Sequence, residues 1–108
     1  MTSAAPAARR QHSRRAPRVI ERATVISHVV TGNRVFLRLE VGRDNRNHAP
    51  EVFGLYVNGQ GEIQDEQAAR DAIETSLLGG GVNVQLEAER ALAVASSAAT
   101  VILGTFAP

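Results

Sequence analysis

Residues 79–106, GGGVNVQLEAERALAVASSAATVILGTF, supply the two strands that a closed sheet would need. After the glycine run, Val82, Val84, Leu86 and Ala88 alternate with Asn83, Gln85, Glu87 and Glu89. A period of two places apolar side chains on one face of a strand, and here it extends toward Leu92 and Val94. This is a fourth strand. Ser96 to Ala99 reads as a turn of small residues, and residues 100–106, β-branched and apolar, read as a fifth strand.

Upstream, residues 65–78 read as a single helix. Asp65 and Glu66 stand in its first turn, where carboxylates suit the helix dipole, and Gly79 follows its end. Ala69, Ile73 and Leu77 form its buried stripe, helped by Ala68 and Ala72. Before the helix come three strands. Residues 19–30 are β-branched and lead into a tight reversal at Thr31-Gly32-Asn33. In residues 34–41, Val35, Leu37, Leu39 and Val41 face one way and Arg34, Phe36, Arg38 and Glu40 the other. A polar loop over 42–50 leads to residues 51–58, where Phe53, Leu55 and Val57 share a face, and Asn58-Gly59-Gln60-Gly61 turns the chain.

The chain has 108 residues, room for one hydrophobic core and one domain. It has no cysteine, which excludes disulfides and thiolate chemistry, and no apolar run long enough to span a bilayer. All twelve basic residues are arginine, unevenly placed. Residues 1–50 hold ten arginines against Glu21, Glu40 and Asp44, a balance of +7, while residues 51–108 hold two against eight acids, a balance of −6. Such asymmetry points to a polyanion-binding end or to head-to-tail self-association.

Residues 1–18 carry Arg9, Arg10, Arg14, Arg15 and Arg18, no acid and two prolines, with no apolar periodicity. They read as a disordered basic arm before a domain over 19–108. The same composition fits an organellar transit peptide, although the prolines interrupt an amphipathic helix.

The expected fold is therefore mainly β with one helix. Strand, strand, strand, helix, strand, strand is the order of the five-stranded Greek-key barrel called the OB-fold, which binds oligonucleotides and oligosaccharides.

The run from Arg22 to Ala88 resembles the core of the bacterial single-stranded-DNA-binding proteins. The similarity rests on GNRVFLRLEVGR at 32–43, FGLYV at 53–57 and LLGGGVNVQLE at 77–87. The resemblance implies a barrel that stacks bases on aromatic residues and acts as an oligomer. The chain departs from the family in having no tryptophan, only Phe36, Phe53, Tyr56 and Phe106, and in starting with a basic arm, where family members begin the barrel close to the amino terminus and end in a long acidic tail.

In such a barrel the ligand face belongs to the second and third strands, which offer Arg34, Phe36, Arg38 and Tyr56. Arg22, Arg43 and Arg46 extend the cationic track, and the arm arginines add phosphate contacts. Glu40 on the same face opposes binding. An ordinary solvated face with one exposed phenylalanine is the plainer reading of the same residues.

No catalytic, metal or cofactor site is expected. His12, His28 and His48 lack ligand spacing and stand near no nucleophile arrangement. Gly59-Gln60-Gly61 lacks a P-loop lysine, and Gly79-Gly80-Gly81 follows a helix instead of opening one. The expected function is a cytoplasmic, non-enzymatic, oligomeric protein that binds single-stranded nucleic acid. The alternative is a structural assembly protein, such as a phage or virion component, that self-associates through its arm and its acidic carboxy-terminal half.

Overall fold

The computed structural model describes residues 23–42 and 49–104. Three strands form an antiparallel meander in the order β1 (Ala23–Thr31), β2 (Arg34–Val41), β3 (Glu51–Asn58). Two helices follow, α1 (Glu66–Leu77) and α2 (Val84–Gly104), and both pack on one side of the sheet. Among the described residues the fold is α+β, with an open three-stranded sheet and no closed barrel.

β2 and β3 occupy the ranges their alternation predicts, and β2 pairs with both neighbours. Gly32, at φ 63°, gives the β1–β2 reversal a backbone conformation that costs glycine nothing. The inward side chains of β2 are fully buried: Val35, Leu37, Leu39 and Val41. Leu55 and Val57 of β3 join them, with Phe53 partly buried at the margin.

The α1 stripe is Ile73 and Leu77, both buried, with Ala69 partly so. Ala68 and Ala72, expected to help bury it, are exposed. Gly79 adopts φ 80° just past the helix, as a carboxy-terminal cap requires. Arg70 of α1 joins Glu66, at 2.9 Å, and Glu89 of α2, so it ties the two helices together. The Glu89 hydrogen bond is the main cause that raises the Arg70 guanidinium above its ordinary value, against some loss of hydration.

The expected fourth and fifth strands are instead one helix. α2 runs through the Ser96 to Ala99 segment read as a turn, and its buried residues Ala88, Ala91, Leu92, Ala95 and Ala99 recur at helical spacing. Its amino terminus is set by Asn83, whose Oδ1 accepts the Leu86 N–H at 3.1 Å. The alternation over 82–89 is thus a short coincidence inside an alanine-rich run whose helix propensity prevails. Leu86, which a strand would bury, is 44% exposed.

α2 touches all three strands, and its small buried residues let its backbone approach the sheet closely. With one face covered this way, the opposite sheet face stays open to solvent. The turn after β3 is fastened to α2: Ser96 Oγ donates to Gly61 O at 2.7 Å. Within the turn, Asn58 Oδ1 accepts the N–H groups of Gln60 and Glu62 at 3.0 and 2.9 Å.

Candidate nucleic-acid interface

The candidate site is that open face. On β2 it carries Arg34, Phe36, Arg38 and Glu40, and on β3 their register partners Asn58, Tyr56, Gly54 and Val52. A bulge in β1 decides what the third strand adds. Val25 lies opposite Leu39, but Ser27 lies opposite Arg38, so Ile26 is the extra residue. Beyond it the strand changes face, and Val29 comes opposite Phe36 on the open side. Val29, Phe36 and Tyr56 thereby make one row across the sheet.

Phe36 and Tyr56 meet with ring centroids 4.8 Å apart and planes inclined at 50°. The Arg34 guanidinium carbon is 5.6 Å from the Tyr56 ring centroid, within cation–π range. Its Nη1 also donates to Gln64 Oε1 at 2.6 Å. Arg34 is therefore held over the tyrosine ring. Arg38, exposed on the other side of Phe36, has no hydrogen-bond or ionic partner among the described residues.

Tyr56 is 43% and Val29 60% exposed, whereas Phe36 is half-buried. The Phe36 ring lies over Gly54: a Cβ added there would stand 2.7 Å from Cζ. Glu40 shares the face at the other end of β2, opposite Thr24 and Val52. Its carboxylate therefore sits away from the aromatic row, although it reduces the net positive charge of the face.

Of the sequence-predicted site residues, the sheet gathers Arg34, Phe36, Arg38 and Tyr56. Arg22, Arg43 and Arg46, with the arm residues Arg9, Arg10, Arg14, Arg15 and Arg18, lie outside the described residues. Sequence reasoning missed Val29, Gly54 and Gln64. A glycine inside an alternating strand is the one signal that pointed to Gly54, because it marks close approach by a neighbouring group. The bulge that turns Val29 outward has no comparable signature.

His28 sits exposed on β1, and no group of three metal-ligating side chains occurs among the described residues. No described helix is long and apolar enough to cross a membrane. No family model, curated protein or solved structure matches the chain.

Proposed function

We propose that the protein binds single-stranded nucleic acid, without catalysing a reaction on it, across the open face of its three-stranded sheet. One observation carries this reading. The Phe36 and Tyr56 rings lie in contact on a face that neither helix covers, with Arg34 and Arg38 on either side. A single strand presents unstacked bases and a chain of phosphates, and it is held by flat side chains under the bases and cations along the backbone. Open antiparallel sheets carry single-stranded bases on aromatic residues in other RNA-binding modules, so a closed barrel is not required.

Two aromatic rings per chain make a small site. An oligomer that presents several such faces to one strand raises the effective affinity without new contacts. The arm arginines add sequence-independent phosphate contacts whose strength falls with salt.

The test is anisotropy of a labelled single-stranded oligonucleotide over a salt series, with wild type and Phe36→Ala/Arg38→Ala. The double variant is expected to bind about tenfold or more weakly, as loss of one stacked base and one cation requires. Unchanged affinity overturns the reading.

A second reading, a structural assembly protein, is favoured by a different surface. Where β1 meets α2, an apolar groove is lined by Val25, Val94, Val101 and Ile102 with Ala93, Ala98 and Ser97, and by no charged residue among those described. A second copy of the chain is the occupant this reading requires. Fast sedimentation that survives nuclease treatment supports it, and a small species that gains mass only with oligonucleotide opposes it.

A further inference from the structure

β3 borders the sheet, and part of its outer edge is already paired. The Gln64 N–H donates to Tyr56 O at 2.8 Å, and the Asn58 N–H donates to Glu62 O at 3.0 Å. Residues 62–64 thus begin a fourth strand antiparallel to β3, bridged at Val57 and Ile63. Asp65, at φ 55°, then turns the chain away into α1.

Backbone groups alternate sides along a strand. Since Tyr56 and Asn58 direct theirs to this edge, Gly54 and Val52 do the same. No described residue pairs with the backbone of either on that side. An open strand edge is a template for a further strand.

Beside this edge runs a groove between β3 and α1. Phe53, Gly54, Ala68 and Ala72 are among the residues that line it. Among the described residues its charged lining is acidic: Asp65, Asp71 and Glu51. The exposed Ala68 and Ala72 leave room for side chains of an added strand to point toward the helix.

We propose that residues 9–16 of the same chain, RRQHSRRA, seat in this groove as a short strand against Val52 and Gly54, continuing the line begun by residues 62–64. Charge is the first argument. The segment holds Arg9, Arg10, Arg14 and Arg15 and no acid, against a groove to which the described part of α1 and its approach bring Asp65 and Asp71. Because side chains alternate, either register turns two arginines toward α1, Arg9 with Arg15 or Arg10 with Arg14.

Length is the second argument. Pro6 and Pro17 bracket the segment and leave it free of proline, so each of its N–H groups is available to the ladder. A strand antiparallel to β3 ends at the Glu51 end of the sheet. Ala23 begins β1 at that same end, since Ala23 pairs with Val41 and Val41 with Glu51. The gap from the fourth position back to β1 is three strand spacings, about 14 Å. Residues 17–22, extended, span up to about 20 Å. The connection therefore closes within one molecule. This docking does not depend on nucleic-acid binding; where both occur, phosphates and the groove compete for the same arginines.

Amide hydrogen exchange of the full-length protein, read by NMR at low salt, tests the proposal. The Val52 and Gly54 amides are expected to be protected, and their protection is expected to fall about tenfold or more in Arg9→Glu/Arg10→Glu/Arg14→Glu/Arg15→Glu. The core amides of Leu37 and Leu92 serve as the control and stay protected. A second variant, His12→Pro/Ser13→Pro, keeps every arginine but cannot pair in either register, and it is expected to give the same loss. Equal exchange at Val52 and Gly54 in all three proteins overturns the proposal. Protection that is lost on dilution assigns the strand to a second copy and overturns the docking within one molecule.

Discussion

The Phe36 ring lies across the backbone of Gly54 on the neighbouring strand, in space that a Cβ at residue 54 would enter to within 2.7 Å of Cζ. Gly54 is thus a condition for the aromatic row. It lets Phe36 settle on the sheet and meet Tyr56 at the same time. A substitution here acts on the site through the ring it displaces.

Gly54→Ala separates these roles. The added methyl pushes the far end of Phe36 away, and the ring can rotate to relieve the contact, while alanine restricts the unfolded chain more than glycine does. Stability is expected to change by no more than about 1 kcal/mol, read by urea unfolding. Oligonucleotide affinity is expected to fall, because the displaced ring no longer shares a surface with Tyr56. Wild-type affinity in a variant whose Phe36 resonances have shifted removes that ring from the interface.

Tyr56 offers a sharper comparison. Its ring is the one under the Arg34 guanidinium, and stacking needs the ring and not the hydroxyl. Tyr56→Phe is therefore expected to bind an oligonucleotide as wild type does, and Tyr56→Ala to lose about 1–3 kcal/mol of binding. Anisotropy titrations of the two variants at one salt concentration decide it. Equal affinities of the phenylalanine and alanine variants show that the strand does not rest on this ring.

Much of the sheet was legible because half-buried strands write their faces into the sequence. Val35, Leu37, Leu39 and Val41 alternate with Arg34, Phe36, Arg38 and Glu40, and the structure buries the first set. The four face residues follow from the same alternation. Residues 82–104 were not legible in this way. Val82 to Glu89 satisfies a strand template over one short window, but the deciding pattern is longer: Ala88, Ala91, Ala95 and Ala99 repeat at helical spacing over three turns. Alanine carries little weight in a hydrophobic alternation, so its helical stripe passed as turn and spacer. Reading the helix as two strands then completed a barrel that the sheet does not form.

The amino terminus of α2 gives a test of that correction. Asn83 Oδ1 accepts the Leu86 N–H at 3.1 Å, satisfying a donor that the helix itself leaves without a partner. Asn83→Ala is expected to destabilise the protein by about 1 kcal/mol, and Asn83→Asp to remain near wild type. Thermal and urea unfolding of both variants check it. Were residue 83 instead on the wet side of a strand, alanine there would change little.

The alanines of α2 lead to the last prediction. Ala95 is fully buried where the helix crosses the sheet, and it lies one residue before Ser96, whose hydroxyl holds the turn at Gly61. A larger side chain at 95 must lift the helix or force its neighbours off their rotamers, which costs about 1–3 kcal/mol. Ala95→Leu is expected to show that loss, together with faster exchange at Gln64, whose N–H bond to Tyr56 depends on the same turn. Ala93→Leu adds the same volume at an exposed position of the same helix and is expected to stay within about 0.5 kcal/mol of wild type. The pair distinguishes close packing from helix propensity, since leucine and alanine are both good helix formers. Equal stability of the two variants removes the tight contact between α2 and the sheet as the reason for the alanine stripe.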